Sequence, residues 1–231
     1  MSIESSPISF PPIPELYEVP DHLWSKGPED IGRLQVPPVL VTLKPGATPP
    51  RKPQYPLKPA QSAAIAKQVC ILGDSGALVQ CTSPCNSPLF PVKKKTPKGE
   101  PEAYRMVQDL RAVNEATILD TLLVSNPHTL LSGIPPSACY FTVVDLANAF
   151  FIVPLDPACM YLFAFTHDNR QYTWTVMPQG AQNSPTQFSK AMATVLDTWQ
   201  RLNPQVVLLQ YVDELLLCAP SREEAVTTSL S

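Results

Sequence analysis

The chain has 231 residues, with 17 Lys and Arg against 20 Asp and Glu, for a net charge of −3. This length accommodates one large domain, or one domain with a tail. No apolar run approaches the length of a membrane span, and the first residues lack the basic and apolar regions of a signal peptide. We therefore expect an intracellular protein, cytoplasmic or nuclear, that is not secreted and does not contact a membrane.

The net charge conceals an uneven distribution. Residues 51–111 carry ten basic and four acidic side chains, whereas residues 112–231 carry four basic and ten acidic ones. A basic segment beside an acidic one is typical of an enzyme that processes a polyanion, because one part can bind phosphates and the other cations. Solvated charge on surface loops is the alternative interpretation.

The N-terminal quarter of the chain is rich in proline. Of the 28 prolines, half lie within the first 59 residues, which predicts an extended or poorly ordered arm over residues 1–58. A short ordered piece is expected around Leu23 and Trp24. Pro59 then begins a predicted helix that runs to Leu72 and ends at Gly73.

The remainder predicts short strands and a few helices. Strands are expected at 78–79, 89–94, 103–109, 139–145, 151–155, 162–165 and 172–176, and a hairpin at 206–218. Residues 95–101 predict a loop. A helix capped by Asn183 should run to about Trp199, with Phe188, Met192, Val195, Leu196 and Trp199 on one face, and Ser221 opens another helix. This order of elements predicts an α+β fold.

The six cysteines show no metal-binding spacing. Cys81 and Cys85 have no histidine or second cysteine pair nearby to complete a zinc site. Several cysteines lie in apolar runs, which predicts buried free thiols and a reducing compartment.

Three acids follow strand-like runs. Asp213 and Glu214 are adjacent within an apolar frame, and Asp145 ends the run 139–144. Acids are rarely left in such buried frames without a partner, and a divalent cation is a common way to neutralise neighbouring carboxylates. Hard oxygen ligands favour Mg²⁺ over zinc. The sequence therefore predicts a magnesium site.

Five segments in the same order resemble the fingers and palm of retroviral reverse transcriptases, most closely those of gammaretrovirus-like and epsilonretrovirus-like endogenous elements. The segments are LFPVKK (89–94), YRMVQDLR (104–111), TVVDLANAFF (142–151), MPQG (177–180) with NSP (183–185), and QYVDE (210–214). The resemblance implies a right-hand polymerase fold over residues 59–231, with an antiparallel palm sheet packed on helices. Residues 1–58 resemble the connection between protease and polymerase. The thumb, connection and ribonuclease H domains of such proteins are expected to be absent, so ribonuclease H activity would belong to a downstream domain.

The activity that the resemblance implies is RNA- or DNA-templated DNA synthesis with two Mg²⁺ ions, or Mn²⁺. Its expected partners are a template with its primer and deoxynucleoside triphosphates. Asp145, Asp213 and Glu214 are the implied catalytic residues, and they bind the metals together with the backbone carbonyl of Leu146.

The same resemblance implies a nucleotide-binding set. Lys94 and Arg105 would bind the triphosphate, with Lys93 or Lys95 as alternatives to Lys94. Phe150 would lie under the sugar and exclude a 2′-hydroxyl, and Gln179 would contact template and nucleotide. Asn148, Ala149 and Tyr211 complete the set.

Two positions depart from the pattern of the family, which usually has aspartate at each. Glu214 carries one extra methylene, and misplacement of a reacting group on that scale can cost on the order of 10²-fold in rate. Asn148 lacks a charge near the nucleotide. Together with the expected absence of a thumb, these departures support an alternative function: an inactive retroelement remnant that retains at most nucleic-acid binding or an interaction role.

Overall fold

The computed structural model describes residues 14–27, 30–96, 99, 102–121 and 127–231. Part of the predicted loop 95–101 and the first 13 residues of the predicted arm lie outside the described residues. The helices are α1 (Pro59–Asp74), α2 (Arg111–Ala116), α3 (Pro127–Leu131), α4 (Ser184–Leu202) and α5 (Arg222–Ser229). The strands are β1 (Leu78–Gln80), β2 (Leu89–Lys93), β3 (Tyr104–Gln108), β4 (Tyr140–Asp145), β5 (Phe165–His167), β6 (Arg170–Trp174), β7 (Val207–Tyr211) and β8 (Glu214–Ala219). Short 3₁₀ helices span Pro14–Glu18, Asp21–Leu23, Ala149–Ile152 and Met160–Phe163.

These elements form an α+β domain with three small antiparallel sheets, as the order of elements predicts. The strand orders are β1-β6-β5, β2-β3 and β4-β8-β7. The main core contains the fully buried side chains of Ile65, Leu89, Leu155, Phe163, Phe165 and Phe188. Among the described residues, no helix is long and apolar enough to cross a membrane.

Helix α1 begins where the sequence predicts and ends two residues later than predicted. Pro59 occupies its first turn, where a missing N–H costs nothing. Gly73 lies inside the helix, and Gly76, with φ +75°, makes the turn instead. The amide side chain of Gln68 joins α1 to β3, because it donates to the Tyr104 carbonyl at 3.0 Å and accepts from the Met106 N–H at 2.9 Å.

The predicted strands 89–94 and 103–109 are confirmed as the β2-β3 hairpin, in which Leu89 pairs with Gln108 and Lys93 with Tyr104. The predicted strand 162–165 is wrong over most of its length, because Leu162 and Phe163 lie in a 3₁₀ helix and β5 begins only at Phe165. Strands β5 and β6 still form a hairpin around residues 167–170, where Asp168 and Asn169 make the turn with φ of 46° and 58°, a conformation that these two residue types tolerate.

The predicted strand at 151–155 is wrong. Residues Ala149–Ile152 form a 3₁₀ helix, and only single bridges follow at Pro154 and Leu155. Local hydrogen bonds explain the difference. The Phe151 N–H donates to the Asn148 carbonyl and the Val153 N–H to the Phe150 carbonyl, so these groups bond within the turn and not to a neighbouring strand. Phe150 also packs edge-on against Phe188, and Phe151 stacks on Trp174.

The three-stranded β4-β8-β7 sheet confirms the predicted strand 139–145 and the predicted hairpin 206–218. Helix α5 covers part of one face, and a second small core of Val206, Leu217, Ala219 and Ala225 lies there. The expectation that these strands are buried is wrong for β4, in which Val143 is 66% exposed. Strands β4 and β7 are both edge strands, but β7 is half-buried along most of its length. The exposure of β4 therefore reflects how little of its two faces other elements cover.

Helix α4 starts at Ser184 as predicted, but Asn183 does not cap it with its side chain. The Asn183 amide instead donates to the Ile118 carbonyl at 2.8 Å and accepts from the Asp120 N–H at 3.1 Å. On the predicted apolar face, Phe188 and Met192 are buried, whereas Val195 is 41% exposed. Three of the six cysteines, Cys85, Cys159 and Cys218, are buried, and all six are free thiols.

Residues 30–55 form an extended strap along the domain. The Leu34 N–H donates to the Ile152 carbonyl at 2.8 Å, and the Val39 N–H to the Pro154 carbonyl at 2.9 Å. Further along, Leu43 pairs with Thr117 and Arg51 with Asn86. Backbone hydrogen bonds thus join the strap at one end to the 3₁₀ helix after β4 and at the other end to the segment before β2.

Candidate active site

Three acids meet at one end of the β4-β8-β7 sheet. Asp145 is the last residue of β4, and it pairs across the sheet with Glu214, the first residue of β8. Tyr211, the last residue of β7, pairs with the other side of Glu214. Residues directly opposite each other on antiparallel strands have Cβ atoms about 4.5–5.5 Å apart. The register therefore places the Asp145 and Glu214 carboxylates side by side on one face of the sheet.

The tight turn between β7 and β8 brings in the third acid. Val212 and Asp213 form this turn, and the Leu146 N–H donates to the Asp213 carbonyl at 3.0 Å, which ties the turn to the end of β4. Val212 has φ +52°, a conformation in which a β-branched residue is strained. Such strain persists where surrounding structure enforces it and is concentrated at functional sites.

The donor set suits a hard divalent cation, because all three side chains offer carboxylate oxygens. Asp145 and Glu214 are exposed and Asp213 is half-buried. No group of three His, Cys, Asp or Glu side chains in the described part of the chain is already arranged around one point where a metal could lie.

The turn that follows β4 carries three predicted nucleotide-binding residues. Asn148 has φ +54°, Ala149 is buried, and Phe150 is half-buried with its ring centroid 5.9 Å from that of Phe188. The ring of Phe150 is therefore fixed by α4 rather than free in solvent.

Gln179 is exposed in a turn whose backbone is held from behind. The Asn114 side chain donates to the Gly180 carbonyl at 3.0 Å and accepts from the Gln182 N–H at 2.9 Å. The Gln182 side chain in turn donates to the Asn114 carbonyl at 2.7 Å. Sequence analysis missed Asn114 and Gln182, because neither belongs to a charged or periodic pattern.

The lysines of the β2-β3 hairpin differ in their partners. Lys93 forms an ion pair with Glu102 at 2.5 Å, and the Tyr104 hydroxyl donates to the same carboxylate. The hydrogen bond between Lys93 and Glu102 raises the pKa of Lys93 and lowers that of Glu102. Strand alternation places Lys94 on the other face, with Arg105. Both are exposed, and neither side chain makes a hydrogen bond or ion pair with the described residues.

An ionic cluster around the buried Asp109 carboxylate lies beside this hairpin, and no local sequence pattern reveals it. Asp109 accepts from the Tyr55 hydroxyl at 2.7 Å and from Nε and Nη2 of Arg111 at 2.8 and 2.7 Å. The Asp109 side chain is only 4% exposed, whereas that of Arg111 is 76% exposed. The Arg111 hydrogen bonds, helped by the Tyr55 hydroxyl, hold the pKa of Asp109 well below its usual range. A cavity of about 220 Å³ is lined by Phe90, Gln108, Asp109, Leu110, Arg111, Asn114 and Gly180.

The fold is an α+β domain with three small antiparallel sheets, and sequence comparison identifies the class of protein as reverse transcriptase. The profile of the reverse transcriptase (RNA-dependent DNA polymerase) family matches residues 92–230, and the chain belongs to this family. It is 42% identical to the Gag-Pol polyprotein of Walleye dermal sarcoma virus over 209 residues, which cover 90% of this chain and 12% of that protein. It is 45% identical to the Gag-Pol polyprotein of Gibbon ape leukemia virus over 82% of this chain and 11% of that protein. With the Pol polyprotein of Feline endogenous virus ECE1 the identity is 42%, over 84% of this chain and 19% of that protein. The chain therefore spans less than a fifth of the length of these three relatives.

Proposed function

We propose that this chain forms the fingers and palm of an intracellular retroviral reverse transcriptase, which adds deoxynucleotides to a primer on an RNA or DNA template. The observation that carries the proposal is the register of the β4-β8-β7 sheet. It pairs Asp145 with Glu214, next to the strained turn that contains Asp213. An enzyme that transfers nucleotides by metal catalysis needs carboxylates grouped in this way.

Asp145, Asp213 and Glu214 would hold two Mg²⁺ ions, with the backbone carbonyl of Leu146 as a further oxygen donor. When bound, such ions activate the primer 3′-hydroxyl and stabilise the leaving pyrophosphate. Tyr211 pairs with Glu214 at the end of β7, where its ring would support the acidic turn.

The remaining residues would bind and orient the nucleotide. Lys94 and Arg105 share one face of the β2-β3 hairpin and would bind the triphosphate, because both cations are exposed and lack a carboxylate partner among the described residues. Lys93 is a weaker candidate, since Glu102 already neutralises it. Phe150, fixed by Phe188, would lie under the sugar.

The turn that carries Gln179 would contact the template. Its backbone is held by Asn114 and Gln182, so the exposed Gln179 side chain projects from a rigid support. A held backbone lowers the entropy that the side chain loses on binding.

An inactive remnant with weak nucleic-acid binding is the second candidate. Two observations favour it: Glu214 is one methylene longer than the aspartate usual in the family, and the described acids are not already arranged around a metal. Under this candidate, Lys94 and Arg105 would bind nucleic-acid phosphates without chemistry.

Primer extension on poly(rA)/oligo(dT) with Mg²⁺ or Mn²⁺ separates the two candidates. We expect extension by the wild-type chain that is lost in Asp145→Asn and Asp213→Asn. Asp197→Asn is the matched control, because it removes an exposed carboxylate on α4 whose ion-pair partner within the described part of the chain is Arg201. No extension by the wild type, and none after Glu214→Asp, would favour the remnant. Extension that persists in Asp145→Asn and in Asp213→Asn would contradict the assignment of these acids as catalytic residues.

A further inference from the structure

The strap contacts the turn after β4 through a side chain. Nδ2 of Asn148 donates to the backbone carbonyl of Asp30 at 2.9 Å, across 118 positions of sequence. The Asn148 carbonyl accepts from the Phe151 N–H at 2.7 Å and begins the 3₁₀ helix that carries Phe150. One residue thus shapes the turn and links it to the strap.

The turn is held from two sides. On one side, the Leu146 N–H donates to the Asp213 carbonyl of the acidic hairpin. On the other side, the strap adds the hydrogen bond from Leu34 to the Ile152 carbonyl. The backbone between these anchors includes Asn148 in the left-handed conformation, which asparagine tolerates better than most residues.

The identity of residue 148 determines the polarity of the contact with the strap. An asparagine amide donates to a carbonyl, whereas an ionised aspartate offers only acceptors. Aspartate at this position would place two acceptors face to face and leave the Asp30 carbonyl without this donor. The asparagine that departs from the usual pattern of the family is therefore the residue type that this contact requires.

We propose that Asn148 is a positioning residue, which couples the strap to the nucleotide-facing turn and so keeps that turn in the conformation that receives the nucleotide. This role rests on the proposed function, because it concerns the same site. Asn148 acts through the backbone of the turn and through the position of Phe150.

Two substitutions at residue 148 separate the hydrogen bond from the backbone conformation. Asn148→Gly removes the donor and keeps the left-handed turn accessible, so we expect amide exchange of Leu34 and Phe151 to rise about threefold. Asn148→Asp also reverses the polarity, so we expect a rise of about tenfold or more. Asn169→Asp is the matched control, since Asn169 is an exposed left-handed asparagine in the β5-β6 turn.

The same variants are then compared in primer extension. We expect KM for dTTP to rise about tenfold in Asn148→Asp while kcat stays within about threefold, because the loss affects ground-state and transition-state binding equally. Exchange that is equal in Asn148→Asp and wild type would overturn the proposal, whatever the polymerase activity. Raised exchange with an unchanged KM in an active enzyme would also overturn it, since the contact would then be structural only.

A wild-type chain that extends no primer would defeat the proposed function separately. In that case the deciding measurement is amide exchange of Phe151 with and without dTTP and Mg²⁺. Protection of this amide in wild type but not in Asn148→Asp would support the positioning role. If the Phe151 amide is protected in neither protein, or equally in wild type and Asn148→Asp, the positioning role is overturned.

Discussion

Asp109→Asn tests the ionic cluster around the buried Asp109 carboxylate. Asp109 accepts hydrogen bonds from the Tyr55 hydroxyl and from two nitrogens of the Arg111 guanidinium, and its side chain is 4% exposed. Asparagine keeps the shape but removes the charge, and its NH₂ group must face at least one of these donors. A hydrogen bond to a charged group contributes about 1.5–3 kcal/mol, and a donor left unpaired in a buried site adds to the loss.

We expect Asp109→Asn to lower the free energy of unfolding by about 2 kcal/mol at pH 7, with Arg111 discounted because it is mostly exposed. For a domain of this size, 1 kcal/mol changes Tm by roughly 2–4 °C, so Tm should fall by about 4–8 °C. Urea unfolding and thermal melting of the two proteins measure this difference. Asp197→Asn, on an exposed pair, should change stability by less than about 1 kcal/mol.

The pH dependence of this difference gives a second test. The pKa of Asp109 is lower in the folded chain than in the unfolded chain, because Arg111 and Tyr55 bind the ionised form. Its stabilisation is therefore fully present above the unfolded pKa of about 4 and is lost as the pH falls below that value. The gap between wild type and Asp109→Asn should narrow between about pH 4 and pH 2. A gap below about 0.5 kcal/mol at pH 7, or one that stays constant down to pH 2, would refute the reasoning.

Three further predictions concern single side chains. Lys94→Ala should raise KM for dTTP about tenfold, because Lys94 has no carboxylate partner among the described residues and is available to bind the triphosphate. Lys93→Ala should leave KM within about twofold, because Glu102 already pairs with Lys93. Equal effects of the two substitutions on KM in primer extension would contradict the assignment. Glu214→Asp should raise the rate of primer extension by up to about 10²-fold, because the extra methylene of glutamate misplaces the carboxylate. A slower Glu214→Asp enzyme would show that glutamate is the better ligand at this position. Ser221→Ala should cost about 1 kcal/mol in urea unfolding, because the Ser221 hydroxyl accepts from the Glu224 N–H at the start of α5, and an unchanged midpoint would mean that this cap contributes nothing.

Local sequence signals account for much of the fold. Strand alternation, polar turns and early prolines predict the β2-β3 and β7-β8 hairpins and the starts of α1 and α4. The convergence of Asp145 with Glu214 also follows from the pattern, because Asp145 ends one apolar run, Glu214 begins another, and the two runs pair as neighbouring antiparallel strands. These features depend on interactions between residues close in sequence or on simple register.

The missed features depend on distant contacts. Tyr55 and Asp109 are 54 positions apart, and Asn148 and Asp30 are 118 apart, so no local pattern reveals either pair. The 3₁₀ helix that contains Phe150 replaces the predicted strand because tertiary packing against α4 outweighs the β propensity of its residues. The exposure of β4 follows from how little of its two faces other elements cover, which the amino-acid pattern of one strand does not specify.

The central claim is that the end of the β4-β8-β7 sheet is a metal-dependent catalytic centre. Titration of Mn²⁺ into the chain with primer–template and dTTP, followed by electron paramagnetic resonance, tests it most directly. The account predicts Mn²⁺ binding by the wild-type chain that weakens at least about tenfold in Asp145→Asn and in Asp213→Asn and is unchanged in Asp197→Asn. Equal Mn²⁺ affinity in all four proteins would contradict it.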